Sequence, residues 1–187
     1  MDRESDKHLE ESRIDGEQVY DGRLLKVWRD RVRLPDGSEA AREYIKHPGA
    51  VAILGILPDG RILLERQYRY PMQRVMLEFP AGKLEYGEDP LECAKRELLE
   101  ETGYTASEWR HVTTIHNAIA YSDERIELYL ARGLTEGQAQ LDHGEFLETI
   151  TASLDELLAW VQAGKITDVK TVIGTFWLQK LLAADWT

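Results

Sequence analysis

Glu97, Glu100 and Glu101 fall at i, i+3 and i+4, so on a helix all three carboxylates share one face. Like charges at this spacing cost a helix roughly 0.2–0.5 kcal/mol per pair. Divalent cations offset that cost, and hard carboxylate oxygens suit Mg2+ or Mn2+. Taken alone, three glutamates on one face are an ordinary solvated helix side, with Arg96 pairing to one of them. Their surroundings decide between the two readings.

The helix that must carry them is written into the flanking residues. Asp89 predicts the N-cap, Pro90 suits the first helical position, and Glu92 is placed to close a capping box. Gly103 predicts a left-handed stop at the far end. Leu91, Ala94 and Leu98 form an apolar stripe about 100° round the helix from Glu97. One side therefore docks while a neighbouring side concentrates negative charge. Upstream, Gly82 and Gly87 allow a tight turn between strand and helix.

The whole stretch resembles the signature of the Nudix hydrolase family, G-x5-E-x7-R-E-U-x-E-E-x-G-U with U a bulky apolar residue. Gly82, Glu88, Arg96, Glu97, Leu98, Glu100, Glu101 and Gly103 fill it, and Tyr104 is aromatic where an aliphatic residue is usual. Chance produces such a match on the order of 10⁻⁸ times per start position. The resemblance implies a pyrophosphate hydrolase in which Glu97 and Glu101 are the principal metal ligands. Glu100 would help at the same site, Ala81 would offer its backbone carbonyl, and Mg2+ (with Mn2+ as the alternative) would be the cofactor. Glu88 and Arg96 would stand behind them, Arg96 neutralising part of the cluster and orienting it.

Further segments are similar to the ADP-ribose pyrophosphatase branch of that family. Glu78-Phe79-Pro80-Ala81-Gly82 resembles its E-x-P-A-G lead-in. Glu65-Arg66-Gln67-Tyr68-Arg69 resembles its E-R/Q-Q-x-R strand, whose last arginine, Arg69 here, contacts the substrate's phosphates. A planar, permanently charged guanidinium suits that task. Ser122-Asp123-Glu124-Arg125 resembles an S-x-E-R segment, which makes Glu124 a candidate near the ribose or the metals. Arg42 is a further substrate-contact candidate. In that branch a loop glutamate deprotonates the attacking water, and the matching position is Glu145, with His143 and Glu148 as alternatives.

The implied reaction is ADP-ribose plus water to AMP and ribose 5-phosphate. A proline that ADP-ribose-specific members carry shortly beyond the signature is replaced by Ile119, so GDP-mannose, another nucleotide sugar or a dinucleotide stands as the alternative substrate. Trp28 and Tyr20 could stack on a base, although an aromatic on a strand more commonly serves core or interface. A non-catalytic nucleotide-sensing module is the alternative of a different class. Such modules tend to lose signature glutamates or gain a DNA-binding appendage, and this sequence does neither.

The 187 residues suit one domain, or a domain with a small appendage. With 43% apolar and 30% charged residues the chain reads as soluble and globular, and its order of strands and helices reads as α/β or α+β. A net charge of −11 argues against a nucleic-acid surface. It also requires metals and local arginines to answer a polyanionic substrate. The lone Cys93 excludes an internal disulfide, fits a reducing cytoplasm, and reads as a small packing residue. No apolar run approaches the roughly 20 residues that span a bilayer, and the charged N-terminus lacks a signal peptide's apolar segment. A small-molecule substrate, no nucleic acid and no membrane are the expected partners.

Residues 1–16 read as a disordered tail. Residues 17–47 form an N-terminal antiparallel β segment with a hairpin about Pro35-Asp36-Gly37. In the resembled branch such strands pair across a homodimer. Residues 48–187 are the catalytic domain, for which the resemblance implies an α/β/α sandwich with a mixed sheet. Within it strands are expected over 50–57 and 61–68, joined as a hairpin at Pro58-Asp59-Gly60. Further strands are expected over 75–79, 109–119 and 125–131, with a loop over 133–145. Helices follow over 154–163, capped by Ser153, and over 168–183, with Val172, Ile173, Phe176 and Leu181 as the latter's core stripe.

Overall fold

Strand alternation sends neighbouring side chains to opposite faces, and strand β4 (Ala50–Gly55) shows what this chain does with both faces. Val51 and Ile53 enter one core cluster, and Leu54 enters another. The first cluster lies under helix α1 (Pro90–Thr102), with Cys93, Ala94 and Leu98 fully buried against Tyr129 and Ala131. The second is closed by α2 (Leu154–Gln162) and α3 (Val169–Leu182). A sheet covered by helices on both faces is the expected α/β/α sandwich. The computed structural model describes residues 6–141 and 143–183.

Residues 48–117 and 125–187 make up this larger unit. Its remaining strands are β5 (Ile62–Arg69), β6 (Arg74–Glu78), β7 (Ala81–Lys83), β8 (Tyr104–His116), β9 (Arg125–Glu136) and β10 (Leu147–Ala152). They form a four-stranded sheet ordered β7-β4-β9-β8 and a three-stranded antiparallel sheet ordered β10-β5-β6. The first is mixed, because β4 runs parallel to β9 and antiparallel to β7.

Several elements depart from expectation, each for a physical reason. The turn at Pro58-Asp59-Gly60 does not make a full hairpin. After the single bridge Ile56↔Ile62, β4 and β5 part into different sheets. β9 runs on to Glu136 because β8 already begins at Tyr104 and pairs with it there. β10 was not foreseen within Leu147-Glu-Thr-Ile-Thr-Ala. It forms by pairing with β5 over Leu147↔Gln67 to Ala152↔Ile62, a distant partner that local pattern does not reveal.

The helix ends follow their caps. Asp89 accepts from the amides of Leu91 and Glu92 at 2.9 and 3.2 Å, and Gly103 takes φ 77°. Glu92 does not close a capping box and turns outward to Lys95 at 2.7 Å. At α2 the box is complete between Ser153 and Glu156. α3 buries Thr171, Gly174, Thr175 and Leu178, while Phe176 is exposed. Val172, Ile173 and Leu181 of the expected stripe pack against the core and Phe176 does not, because small residues let the helix approach closely. A Cβ on Gly174 would lie 2.6 Å from Leu54 Cδ2.

The second unit comprises Met1–His47 and Ala118–Glu124. Its sheet is the antiparallel meander β1 (Ser12–Asp21), β2 (Lys26–Arg33), β3 (Glu39–Ile45). β1 starts inside the stretch expected to be a disordered tail, and a short 3-10 turn, Lys7–Leu9, precedes it. Residues 1–5 of that expected tail lie outside the described residues. Every residue of β1 is exposed, so cross-strand charges hold it in register. Arg13 pairs with Asp30 at 2.8 Å, Arg29 with Glu17 at 2.6 Å and Arg31 with Asp15 at 2.5 Å. Among the described residues no helix is long and apolar enough to cross a membrane.

Candidate active site

Helix α1 delivers the acidic face, and the β6–β7 passage brings backbone against it. Glu97, Glu101, Glu145, Arg69, Arg96 and Gln67 are among the residues lining one cavity of about 530 Å³. Glu100 lines it as well, while Ala81 and Gly82 supply part of its wall. Residues brought together from α1, β5, β7 and the loop before β10 thus meet in one place.

Arg96 organises the carboxylates. It contacts Glu88 twice, at 3.0 and 3.2 Å, and reaches Glu97 at 2.9 Å and Glu100 at 3.0 Å. Its guanidinium is held strongly protonated by Glu88 first, and then by Glu97 and Glu100. Glu88 also accepts from the Glu85 amide at 2.8 Å, which pins the approach to α1.

Gly82 is needed here for space rather than for a turn. Its backbone does not take positive φ, whereas Gly87 does, at 86°. A Cβ on Gly82 would stand 1.8 Å from Glu97 Cδ. The glycine is therefore the cradle in which the Glu97 carboxylate lies.

Glu101 is buried, and its Oε2 accepts from the Ala81 amide at 3.1 Å. The observed link to Ala81 is thus through its N–H. Burial pushes the Glu101 carboxyl well up, and the charges of Glu65, Glu97 and Glu145 add to the effect. Glu97 is raised too, first by burial, against the lowering influence of Arg96. Beneath them lies Glu65, only 3% exposed, whose Oε1 has no hydrogen-bond partner among the described residues. Its carboxyl meets that of Glu101 and is likewise raised by burial.

The donor set is entirely oxygen, with Glu101 buried and Glu97 and Glu100 half-buried, which fits a hard divalent cation. Among the described residues no three acidic, histidine or cysteine side chains already converge as a closed ligand cage. Arg96, bonded to two members of the cluster, stands where the counter-charge is needed.

Arg69 is bound to Glu78 through Nε at 2.7 Å and Nη2 at 2.9 Å, and its Nη1 engages no protein oxygen among the described residues. Burial alone would push the Glu78 carboxyl up, but Arg69 and Lys170 together hold it below the ordinary carboxylate value. Cys93 packs in the core under α1, and burial pushes its thiol up to about 12. It is a packing residue, not a nucleophile.

The two alternatives to Glu145 do not line this cavity. Glu148 bonds Arg66 at 2.7 Å and lines a separate cavity with Tyr68, Val75 and Phe146. His143 is exposed, and Asp142 beside it lies outside the described residues. Arg42 and Glu124 belong to the smaller unit. There Arg42 pairs with Glu11 at 2.8 Å, and the Glu124 amide donates to Ser122 Oγ at 3.2 Å. Trp28 carries Lys46 Nζ over its ring at 3.8 Å, while Tyr20 is exposed. Sequence reasoning singled out neither Glu65 nor Lys170 as a site residue. The signal for Glu65 was its period-two alternation with Gln67 and Arg69 on β5.

Residues 46–170 match the model described as the NUDIX domain, and residues 11–45 match the nucleoside diphosphate sugar hydrolase N-terminal domain. A methanol dehydrogenase activator of Bacillus methanolicus is 43% identical, over 92% of this chain and 95% of its own. An ADP-ribose pyrophosphatase of Bacillus subtilis is 39% identical over the same shares. A GDP-mannose pyrophosphatase of Yersinia enterocolitica is 29% identical over 70% of this chain and 72% of its own. A crystal structure titled as an ADP compounds hydrolase shares the fold, with TM-score 0.83 over 95% of this chain and 97% of its own, at 22% identity.

Proposed function

The chain belongs to the Nudix hydrolase family, and from that premise we propose that it hydrolyses the pyrophosphate bond of ADP-ribose to AMP and ribose 5-phosphate. The observation that carries this reading is one cavity in which Arg69, Glu97, Glu101 and Glu145 meet. Glu97, Glu100, Glu101 and the Ala81 carbonyl would hold a divalent cation, with Mg2+ preferred and Mn2+ second. When bound, such an ion neutralises phosphoryl oxygens and makes water more acidic.

The chain's own groups do the rest. Arg69, held by Glu78 on two nitrogens, offers Nη1 to the diphosphate and fixes its orientation. Glu145 takes the proton of the attacking water. The water oxygen joins one phosphorus, and the bridging oxygen leaves with the other. Arg96 holds Glu97 and Glu100 apart from each other's charge. Glu124 and Arg42 are substrate contacts in the same reading.

A second substrate, GDP-mannose or another nucleotide sugar, is favoured by Ile119 standing in place of the branch's proline, and a dinucleotide is the further alternative. The domain division at 47/48, a homodimer built through the N-terminal strands and a cytoplasmic location complete the proposal. The wholly exposed β1 strand, with Val19 and Tyr20 uncovered, supports the dimer. The free, buried Cys93 fits a reducing compartment.

A panel of ADP-ribose, GDP-mannose, other ADP-sugars and dinucleotides tests the reading, with phosphate counted after phosphatase treatment. The highest kcat/KM should be for ADP-ribose with Mg2+. A higher value for GDP-mannose overturns the substrate. Full turnover by Glu101→Gln overturns the assignment of ligands.

A further inference from the structure

Arg69 bound to Glu78 is, as a pair, electrically neutral. That is a poor grip on a diphosphate in a cavity already lined by Glu97, Glu100, Glu101 and Glu145. The pair is not left alone, however. Lys170, at the start of α3 and only 8% exposed, bonds the same Glu78 carboxylate through Nζ and lies 3.0 Å from Asp168. Lys170 is not among the residues that line the cavity.

We propose that Lys170 is a positioning residue for substrate binding, answering the charge of Glu78 from behind so that Arg69 meets the diphosphate as a cation. This rests on the diphosphate hydrolysis proposed above. With Arg69, Lys170, Glu78 and Asp168 all charged, the group is balanced, and the guanidinium is its only cation at the cavity wall. Removing Lys170 leaves the same group with one excess negative charge. The Asp168 charge is spent locally. It accepts from Thr171 N at 3.0 Å and Thr171 Oγ1 at 2.6 Å, at the N-terminus of α3, where the helix dipole favours an anion.

The same bonds fix the place of the clamp as well as its charge. The Phe79 amide donates to Thr171 Oγ1 at 3.1 Å, so the first turn of α3 is tied to the strand end that carries Glu78. Glu78 in turn holds Arg69 at two points, which leaves the guanidinium plane little freedom. Lys170 therefore acts through Glu78 on Arg69, and its influence should fall on substrate binding more than on the chemical step.

Steady-state kinetics of Lys170→Met, Lys170→Arg and the double variant Lys170→Met/Glu78→Gln test this, with thermal melts run alongside. Lys170→Met should raise KM about tenfold with kcat within about twofold of wild type. Lys170→Arg, which keeps the charge, should stay within about threefold of the wild-type KM. The double variant removes the uncompensated buried charge together with its partner. It should fold even where Lys170→Met does not, and recover part of the lost affinity, since glutamine keeps one of the two acceptors that hold Arg69. An unchanged KM in Lys170→Met overturns the proposal, as does a fall in kcat with KM unchanged. A KM in Lys170→Arg or in the double variant as high as that of Lys170→Met also overturns it. If the wild type cleaves GDP-mannose and not ADP-ribose, the same variants are read on that substrate. The ADP-ribose reading then fails while this inference is still judged.

Discussion

Glu101 and Glu65 are two buried carboxyls in contact, and the lowering influence of Arg69 on Glu65 does not offset their burial. Both are raised by burial, so each binds its proton more tightly in the folded protein than in the unfolded chain. Their contribution to stability is therefore greatest at acid pH and is lost as pH rises past the ordinary carboxylate value of 4.5. Melting temperatures in EDTA should fall from about pH 5 to about pH 8. Glu65→Gln should flatten that slope, and Mg2+ should stabilise most at its upper end. A slope unaltered in Glu65→Gln would remove the residue from this account. In activity, Glu101→Gln should lower kcat by on the order of 10²–10³-fold, the loss of several kcal/mol of charge stabilisation. Glu145→Gln should cost about 10²–10⁴-fold. Single-turnover rates across pH check both. The three helix glutamates were legible because their spacing is local. Glu65 was so only in part, since alternation puts it on the face of Gln67 and Arg69 while its burial shows only in the folded chain.

At the scale of elements, α1 was legible nearly to its ends because cap, stripe and stop all lie within a few residues of one another. β10 and the tail of β9 were not, because each exists by pairing with a strand far away in sequence. Gly103 shows how an element's end can reach further than its own turn. The Gly137 amide donates to the Gly103 carbonyl at 2.9 Å, and the Gln140 amide donates to that of Glu100 at 2.8 Å. The loop that leads to Glu145 is thus fastened to carbonyls left without helical partners where α1 closes. A Cβ on Gly103 would come 2.7 Å from Ala139 N, at φ 77°. Gly103→Ala should cost stability by about 1–3 kcal/mol and lower kcat by displacing the loop, read by denaturant melts and kinetics together. Gly82→Ala should instead spare most of the fold and lower activity by about 10–100-fold, because the new methyl takes the place of the Glu97 carboxylate. Normal activity in Gly82→Ala would mean that Glu97 has somewhere else to lie.

For the whole molecule, the expectation of a homodimer rests on a sheet that finds no core of its own along its first strand. Sedimentation at micromolar concentration should give twice the chain mass, and deletion of residues 1–21 should give a monomer with weakened activity. A monomeric full-length chain would refute the expectation. The larger unit, by contrast, has a buried apolar cluster on both sheet faces. The two units are therefore built from different materials. In the first, Arg29 and Arg31 are fastened to exposed acids on the neighbouring strand, in full view of water. Such fastenings weaken as ions crowd in, whereas oil-like contacts tighten under excluded salts such as sulfate. Brine should therefore act on this chain like a selective solvent, quickening amide exchange along β1 while that of the α1 core slows or stands still.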